Sequence, residues 1–283
     1  MGGSVLVGLD GTGNSVPAVR WGAEEASVRG LTLQLLHSWV SQPWPASPTW
    51  GEAEKHRYGA MVLSRAEALV REVHPGIAVT AEQVAEEAAD ALAERSKAAT
   101  LLVLGSRGHD TISGFLLGSV SLRVLGRAQC PVVTVREEES SVGPGPEVVV
   151  GVQDVGTEGD AVLDYAFTTA AAHHAALRAV RAHPPDTAAG TLTAPLDEAG
   201  RTAGGERESP SLGLALWREK FPDVPVIEEV TGGRAVPVLL GACSRAGLLV
   251  IGRRPQRAPM PLGPAVLAVL HHSRCPVAVV PRW

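Results

Sequence analysis

The stretch GSRGHDTISGFLLGSVS, residues 105–121, has the residue types and spacing to hold an anion. Gly105 and Gly108 follow directly on the apolar run TLLVL. There a missing side chain lets the chain turn sharply and lets a ligand approach the backbone. Gly118 stands just ahead of VSLRVLGRA, which reads as a helix with Ser119 at its first position. A helix start carries unpaired N–H groups and partial positive charge, and the hydroxyls of Ser119 and Ser121 add donors. Together these make a neutral cradle suited to phosphates. The spacing, G-x2-G-x9-G-S, is not a P-loop, because no G-K-[ST] occurs in the chain. Nor does G-x-G-x-x-G follow the first strand, as a dinucleotide fingerprint requires. A glycine-rich turn without a ligand would use the same residues, and spacing alone leaves both readings open.

Other reactive side chains point to no catalyst. His173–His174 and His271–His272 are adjacent pairs, and neighbours on a helix do not face one another. His271 and His272 suit a helix end, where a cation is favourable. Cys130 and Cys275 each precede Pro-Val and read as small buried hydrophobes. His109, Asp110 and acidic pairs such as Glu24–Glu25 and Glu86–Glu87 read as solvated. No Ser-His-Asp set and no metal-ligand spacing can be identified, so no catalytic residue and no metal site are assigned. A divalent ion would arrive with phosphates.

The formal net charge of −5 gives no electrostatic case for a nucleic-acid partner. Three cysteines suit no simple disulfide framework and point to a reducing cytoplasm. The opening MGGSVLVGLDG lacks a basic n-region, and no apolar run has the length of a membrane span.

These residues are positioned by a pattern stated twice. VLVGLDG at 5–11 returns as VVVGVQD at 148–154, LLVLGSRG at 101–108 as LLVIGRRP at 248–255, and CPVVTVR at 130–136 as CPVAVVP at 275–281. The offsets of 143, 147 and 145 residues keep order and spacing, which indicates two homologous domains. We place them at 1–137 and 147–283, with 138–146 of EEESSVGPGPE as linker. In the first half SVLVGL is a strand. Asn14 or Ser15 caps a helix with Pro17 in its first turn and Gly30 at its end, and Val19, Gly22, Ala23 and Ala26 line one face. LTLQLLHSW is a second strand. A helix over about 54–73 follows, with Val62, Ala66, Leu69, Val70 and Val73 on one face. A strand over about 77–84, a helix through Ser96, the strand TLLVLG, a last helix and CPVVTVR complete the half. Val/Leu runs of this kind fit parallel strands buried on both faces. Two polar stretches, 41–59 and 184–211, read as surface loops.

The G-x2-G-x9-G-S segment resembles the nucleotide-binding motif of universal stress proteins. VGLDGTGNSVPAVRWG resembles that family's first strand and helix, and LLHSW and CPVVTVR its second and fifth strands. The resemblance covers the first half and, more weakly, the second. It implies an α/β fold: two tandem open parallel five-stranded sheets in order 3-2-1-4-5, with helices on both faces, of the Rossmann-like, adenine nucleotide alpha hydrolase-like kind. Ligands favour the crevice where such a sheet reverses its strand order, here between strands one and four. By similarity, Asp10, with Gly8 and Leu9 before it, lies by the adenosine, and the backbone around Ser38 meets the adenine rim. Gly105 and Gly108 border ribose and phosphates, Gly118, Ser119, Val120 and Ser121 hold the phosphates, and Arg107 is an extra phosphate contact. The implied function is that of an ATP-binding cytoplasmic stress regulator, with ATP or another adenine nucleotide bound and Mg2+ arriving with it. Alternatives are a slow ATP-hydrolysing enzyme and an interaction module that binds no nucleotide. The two domains are expected to pack on each other through strand five, and a homodimer is open; no nucleic acid or membrane partner is expected.

The second half departs from the motif. Gln153 stands for Asp10, Pro255 replaces the second glycine, and Pro264 follows Gly263 where the first half has serine. Proline has no N–H to donate. The second site is therefore expected to be degenerate, the alternative being a phosphate bound by Arg253, Arg254 and Arg257.

Overall fold

A computed structural model describes residues 3–40, 50–106, 117–136, 147–153, 157–183, 210–253 and 262–281. The first half runs β1 (Ser4–Leu9), α1 (Ser15–Arg29), β2 (Thr32–Ser38), α2 (Glu52–Val73), β3 (Val79–Val84), α3 (Ala88–Arg95), β4 (Leu101–Gly105), α4 (Ser119–Arg127) and β5 (Val132–Val135). The second repeats it as β6 (Glu147–Gly151), α5 (Thr157–Ala172), β7 (Ala176–His183), α6 (Pro210–Lys220), β8 (Val226–Gly232), α7 (Ala235–Ala242), β9 (Leu248–Arg253), α8 (Pro264–His272) and β10 (Val277–Pro281). A short 3-10 turn, Cys243–Arg245, follows α7. The second helix starts at Glu52, two residues before the expected start, so the end of the polar stretch 41–59 forms its first turns.

The sheet order within each half is 3-2-1-4-5, all parallel. The two tandem five-stranded sheets are not split but join edge to edge into one ten-stranded sheet, β3-β2-β1-β4-β5-β10-β9-β6-β7-β8. β5 and β10 pair antiparallel, Val132 with Val279, Val133 with Ala278 and Thr134 with Val277. Each strand is apolar and buried on both faces, so a bare edge at either would be an open template for pairing, and each closes the other.

Side chains alternate across the sheet into two cores. Val5, Val7, Leu9, Leu33 and Leu35 pack beneath α1 and α2, continuous with α5. Leu6, Leu36, Leu102 and Leu104 pack beneath α3 and α4, continuous with α8. The expected faces of α1 and α2 point inward. Val19, Gly22, Ala23, Ala26, Ala66 and Val70 are buried, while Val62, Leu69 and Val73 are half-buried against the core.

The repeat extends to the helix ends. Gly30 closes α1 in the left-handed region at φ 63°, and the Leu31 N–H donates to the Ala26 carbonyl at 2.8 Å. His174 occupies the same place after α5 at φ 51°, with the Ala175 N–H donating to the Ala170 carbonyl at 2.9 Å. A side chain in this region costs roughly 1 kcal/mol, which glycine avoids. His174 is exposed, so His174→Gly is expected to raise stability by about 1 kcal/mol, read as a higher urea midpoint at unchanged slope.

Its neighbour His173 turns inward to the junction. Glu25, fully buried on α1, accepts from Arg29 Nε at 2.5 Å and pairs with His173 Nε2 at 2.6 Å. Arg29 also donates to Thr169 Oγ1 at 2.8 Å. Buried charges require such partners. This set ties α1 to α5 across the pseudo-twofold relation of the halves.

Candidate functional site

A cavity of about 400 Å3 opens at the carboxyl ends of β1, β2 and β4, beside the start of α4. Gly8, Leu9, Asp10, Ser38, Gly105, Gly118, Ser119, Val120 and Ser121 all line it. Arg107 and Gly108, also expected there, lie outside the described residues. The fold rule explains the gathering. β1 and β4 are neighbours whose following helices lie on opposite faces, so the chain parts above them and leaves a crevice.

Asp10 is held by the turn that follows it. Its Oδ1 accepts from the Thr12 N–H at 2.9 Å, Thr12 Oγ1 at 2.8 Å and Ser15 Oγ at 2.6 Å. Ser15 Oγ in turn accepts from the Asp10 N–H at 3.0 Å. Of the two expected caps of α1, Asn14 is the N-cap, without a side-chain bond, and the Ser15 hydroxyl orients the carboxylate. Gly11, at φ 78°, takes a conformation that favours glycine, and Tyr58 Oη donates to its carbonyl at 2.9 Å.

Behind this turn His37 is fully buried, with Nδ1 2.9 Å from the Leu9 carbonyl. A carbonyl only accepts, so Nδ1 carries the hydrogen. Burial pushes the His37 imidazole below its ordinary value of 6.5, against an upward pull from the Leu9 carbonyl and Asp10. As pH falls, the unfolded chain therefore takes up this proton first. His37 contributes no destabilisation above about 6.5, and the folded state loses stability from there downward until its own lower value is passed. The urea midpoint is expected to drop between about pH 7 and 5, and less so in His37→Gln. His271, lowered by burial and then by His272 and Arg136, acts with the same sign and accounts for part of the residual drop.

Two expected residues also have a structural role. Ser38 Oγ donates to the Glu86 carbonyl at 2.6 Å and pins the β3–α3 connection to β2. Its hydroxyl hydrogen is thereby committed to the fold, and the residue lines the cavity. At Gly105 the missing Cβ faces α1 rather than a ligand. A Cβ there would collide with the Asn14 carbonyl oxygen, with the Asn14 carbonyl carbon at 2.8 Å and Ser15 Cα at 3.4 Å. This glycine lets β4 and α1 meet.

Gly118 is the N-cap of α4, as the spacing predicts, with extended φ −70° and ψ 160°, no side-chain cap bond and open space where a Cβ would stand. The first bond back along the helix is Leu122 N–H to the Gly118 carbonyl at 3.0 Å. The amides of Ser119, Val120 and Ser121 precede it and have no partner inside the helix. No acidic residue stands in that first turn, so its partial positive charge is not neutralised locally.

The cavity also holds residues the sequence reading missed: Asn14, Ser15, Val40, Glu87 and Arg123, with Leu36, Ala88, Leu92 and Leu104 as apolar wall. Arg123 lies four residues past Ser119, one helical turn on, where it pairs with Asp90 at 3.5 Å and reaches Glu87 at 4.0 Å. A G-S-x-S-x-R run on a helix places the arginine at the mouth, which is the signal that could have found it.

In the second half Leu239 packs on Gly151, 3.2 Å from where a Cβ would stand, as Leu92 and Leu104 pack on Gly8. Gly263 caps α8, and Pro264 at its first position removes one amide donor. Arg253 is spent elsewhere. Its Nη1 donates to the Gly126 carbonyl at 2.5 Å and its Nη2 to the Ala128 carbonyl at 2.9 Å, both at the end of α4. Arg254, Pro255 and Arg257 lie outside the described residues.

A second hollow, of about 520 Å3, lies at the amino ends of β2 and β3. His74 is its one ionisable lining residue and pairs with Glu24 at 2.9 Å, so it offers no comparable set of donors. Cys130, Cys243 and Cys275 are buried thiols outside any disulfide, and burial pushes the Cys130 thiol up to about 12, which makes it inert. Among the described residues no helix is long and apolar enough to cross a membrane.

Comparison with known proteins agrees with this architecture. The family model "Universal stress protein family" matches twice, over residues 1–136 and 147–281. A universal stress protein of Mycobacterium tuberculosis is 31% identical, over 97% of this chain and 96% of its own length. Among solved structures, a universal stress protein from Archaeoglobus fulgidus superimposes with a TM-score of 0.66 at 19% identity, covering 99% of this chain and 98% of that one. A protein of the same family and organism, solved in complex with dAMP, covers 47% of this chain and 96% of its own at 21% identity, with a TM-score of 0.36. Two matches in register with the internal repeat, and a relative aligned nearly end to end, establish that the chain belongs to the universal stress protein family in tandem form.

Proposed function

We propose that the first half binds an adenine nucleotide, ATP in the first instance, and that occupancy sets the state of a cytoplasmic stress-response regulator. The observation that carries this reading is the meeting, across one cavity, of an immobilised carboxylate at Asp10 and the open amino end of α4. The volume of about 400 Å3 falls in the range of small-ligand pockets. In this reading Leu36, Val40, Ala88 and Leu92 wall the base beside the Ser38 backbone, and Asp10 accepts from ribose or the adenine edge. Gly105, with Arg107 and Gly108, borders ribose and phosphates. The amides of Ser119, Val120 and Ser121 and the hydroxyls of Ser119 and Ser121 take the phosphates, and Arg123 adds positive charge. A divalent ion such as Mg2+, where present, comes with the phosphates.

Binding without committed turnover fits the chemistry. Hydrolysis requires a placed base and strong charge stabilisation. Asp10 Oδ1 already accepts three hydrogen bonds from the turn, so its lone pairs are occupied and do not position an attacking water. At most slow hydrolysis is expected. The second half acts as a packing partner and binds no nucleotide through α8. A second copy of the chain would dock away from β5 and β10, which are paired with each other.

Calorimetric titration with ATP, AMP and adenosine tests the reading, together with analysis of nucleotide released when the purified protein is denatured. Affinity is expected to rise from adenosine to AMP to ATP. Equal affinity for adenosine and ATP would remove the phosphate role of α4, and no binding by any of the three would remove the nucleotide reading.

A further inference from the structure

We propose that Arg253 of the second half is a positioning residue for the first half's cavity, acting through α4. This rests on the nucleotide reading for its functional consequence, but the tie itself does not. α4 is nine residues long, so its two ends lie about 13 Å apart. One end opens on the cavity, and the other receives a guanidinium from across the domain junction. Arg253 makes two bonds there, at 2.5 Å to the Gly126 carbonyl and 2.9 Å to the Ala128 carbonyl. A planar fork held at two points fixes direction as well as distance, which a single bond does not. Its charge also complements the negative end of the helix.

The competing ties are weaker. Arg127 and Arg123 hold α4 to Asp90 on α3, but all three side chains are about half exposed and screened by water. Arg253 is half-buried, and burial lowers its guanidinium below the usual value. It is held in register by β9, where it pairs with Pro281 of β10, next to β5. The equivalent residue of the first half is Ser106, whose hydroxyl donates to the Val135 carbonyl of its own half at 3.3 Å. The position that stays local in one half reaches across the junction in the other. It is the last residue of β9, in the half whose next helix, α8, has lost an amide donor to Pro264. The degenerate half thereby has a task, which is to set the helix that the intact half uses.

A matched control is built into the fold. Arg136, after β5, donates to the Leu270 and Ser273 carbonyls at the end of α8, the helix that begins with Pro264. It is the same chemistry applied to the other half. In the full-length chain, Arg253→Met and Arg136→Met are compared for ATP affinity and, without nucleotide, for hydrogen exchange at the helix-bonded amides of residues 122–127. Arg253→Met is expected to weaken ATP five- to tenfold and to speed that exchange. Arg136→Met should leave both at wild-type values despite a similar loss of stability. Arg253→Lys, which keeps the charge but not the fork, supplies a milder variant and should fall between. Wild-type affinity and exchange in Arg253→Met, or equal losses in Arg136→Met, would overturn the assignment. A wild-type protein that binds no ATP would sink the nucleotide reading alone. The exchange comparison would then decide the tie by itself, with faster exchange in Arg253→Met only upholding it and no difference ending it.

Discussion

Replacement of Gly105 by alanine is expected to destabilise the protein by about 3 kcal/mol, the upper part of the range for overpacking, and to abolish nucleotide binding with it. The glycine is required for space rather than for an unusual φ. Its added methyl would meet the Asn14 carbonyl group and Ser15 Cα, all of them backbone. A flexible side chain can swing away from such a contact, whereas backbone yields only if α1 lifts off β4. That movement would pull Ala18 and Trp21, which are essentially fully buried, out of register with the sheet. It would also open the Asp10–Thr12–Ser15 turn, because Ser15 is both the first residue of α1 and the partner of Asp10. Urea denaturation and ATP titration should therefore fail together. Gly13→Ala is the comparison, since nothing stands within 4 Å of a Cβ there, and its effect should stay within about 0.5 kcal/mol. A Gly105→Ala protein as stable as wild type would mean that the α1–β4 contact is slack.

Gly105 also shows where sequence reading reached its end. Its place, at the carboxyl end of β4 beside the cavity, was legible because strand ends follow from local apolar runs and from the open-sheet rule. Its reason was not, because the atom it avoids belongs to a helix ninety residues earlier. The same division runs through the molecule. The Gly30 cap, the inward faces of α1 and α2 and the start of α4 at Ser119 depend on neighbours within a few positions, and the pattern alone locates them. The joining of the two sheets through strand five is expected from the family resemblance alone, because it depends on which edges meet. VVTV and VAVV announce two apolar strands but not that Val133 lies opposite Ala278. Side-chain hydroxyls were the least legible part of the site. Thr12 carries no signal of its own, Ser15 reads as a helix cap, and at Ser38 only the backbone is implied as a contact. Geometry turns the first two onto Asp10 and the third onto Glu86. Arginines behave in the same way. Arg123 and Arg253 are long enough to find partners on other elements, and spacing along the chain cannot say which.

Gly118→Asp is expected to separate stability from function in one substitution. Gly118 has an ordinary extended φ of −70°, and a Cβ there would stand in open space, so the aspartate enters without strain. At an N-cap its carboxylate accepts from the amide two or three residues on, here Val120 or Ser121, and faces the positive end of the helix. The fold should gain about 0.5 kcal/mol, since aspartate improves on glycine at this position by a few tenths and the dipole adds a similar amount. ATP should weaken about 100-fold, because the new carboxylate takes amides the phosphates would use and repels them as a like charge. Loss of one or two charge-assisted bonds is worth that much. Adenosine, which has no phosphate, should bind the variant as it binds wild type. The pattern is diagnostic because damage to the fold lowers stability and every affinity together. A rise in the urea midpoint, a loss of ATP and an unchanged adenosine affinity arise together only if the opening of α4 is the anion receptor. Undiminished ATP binding in a more stable protein would mean that the phosphates, if bound, lie elsewhere.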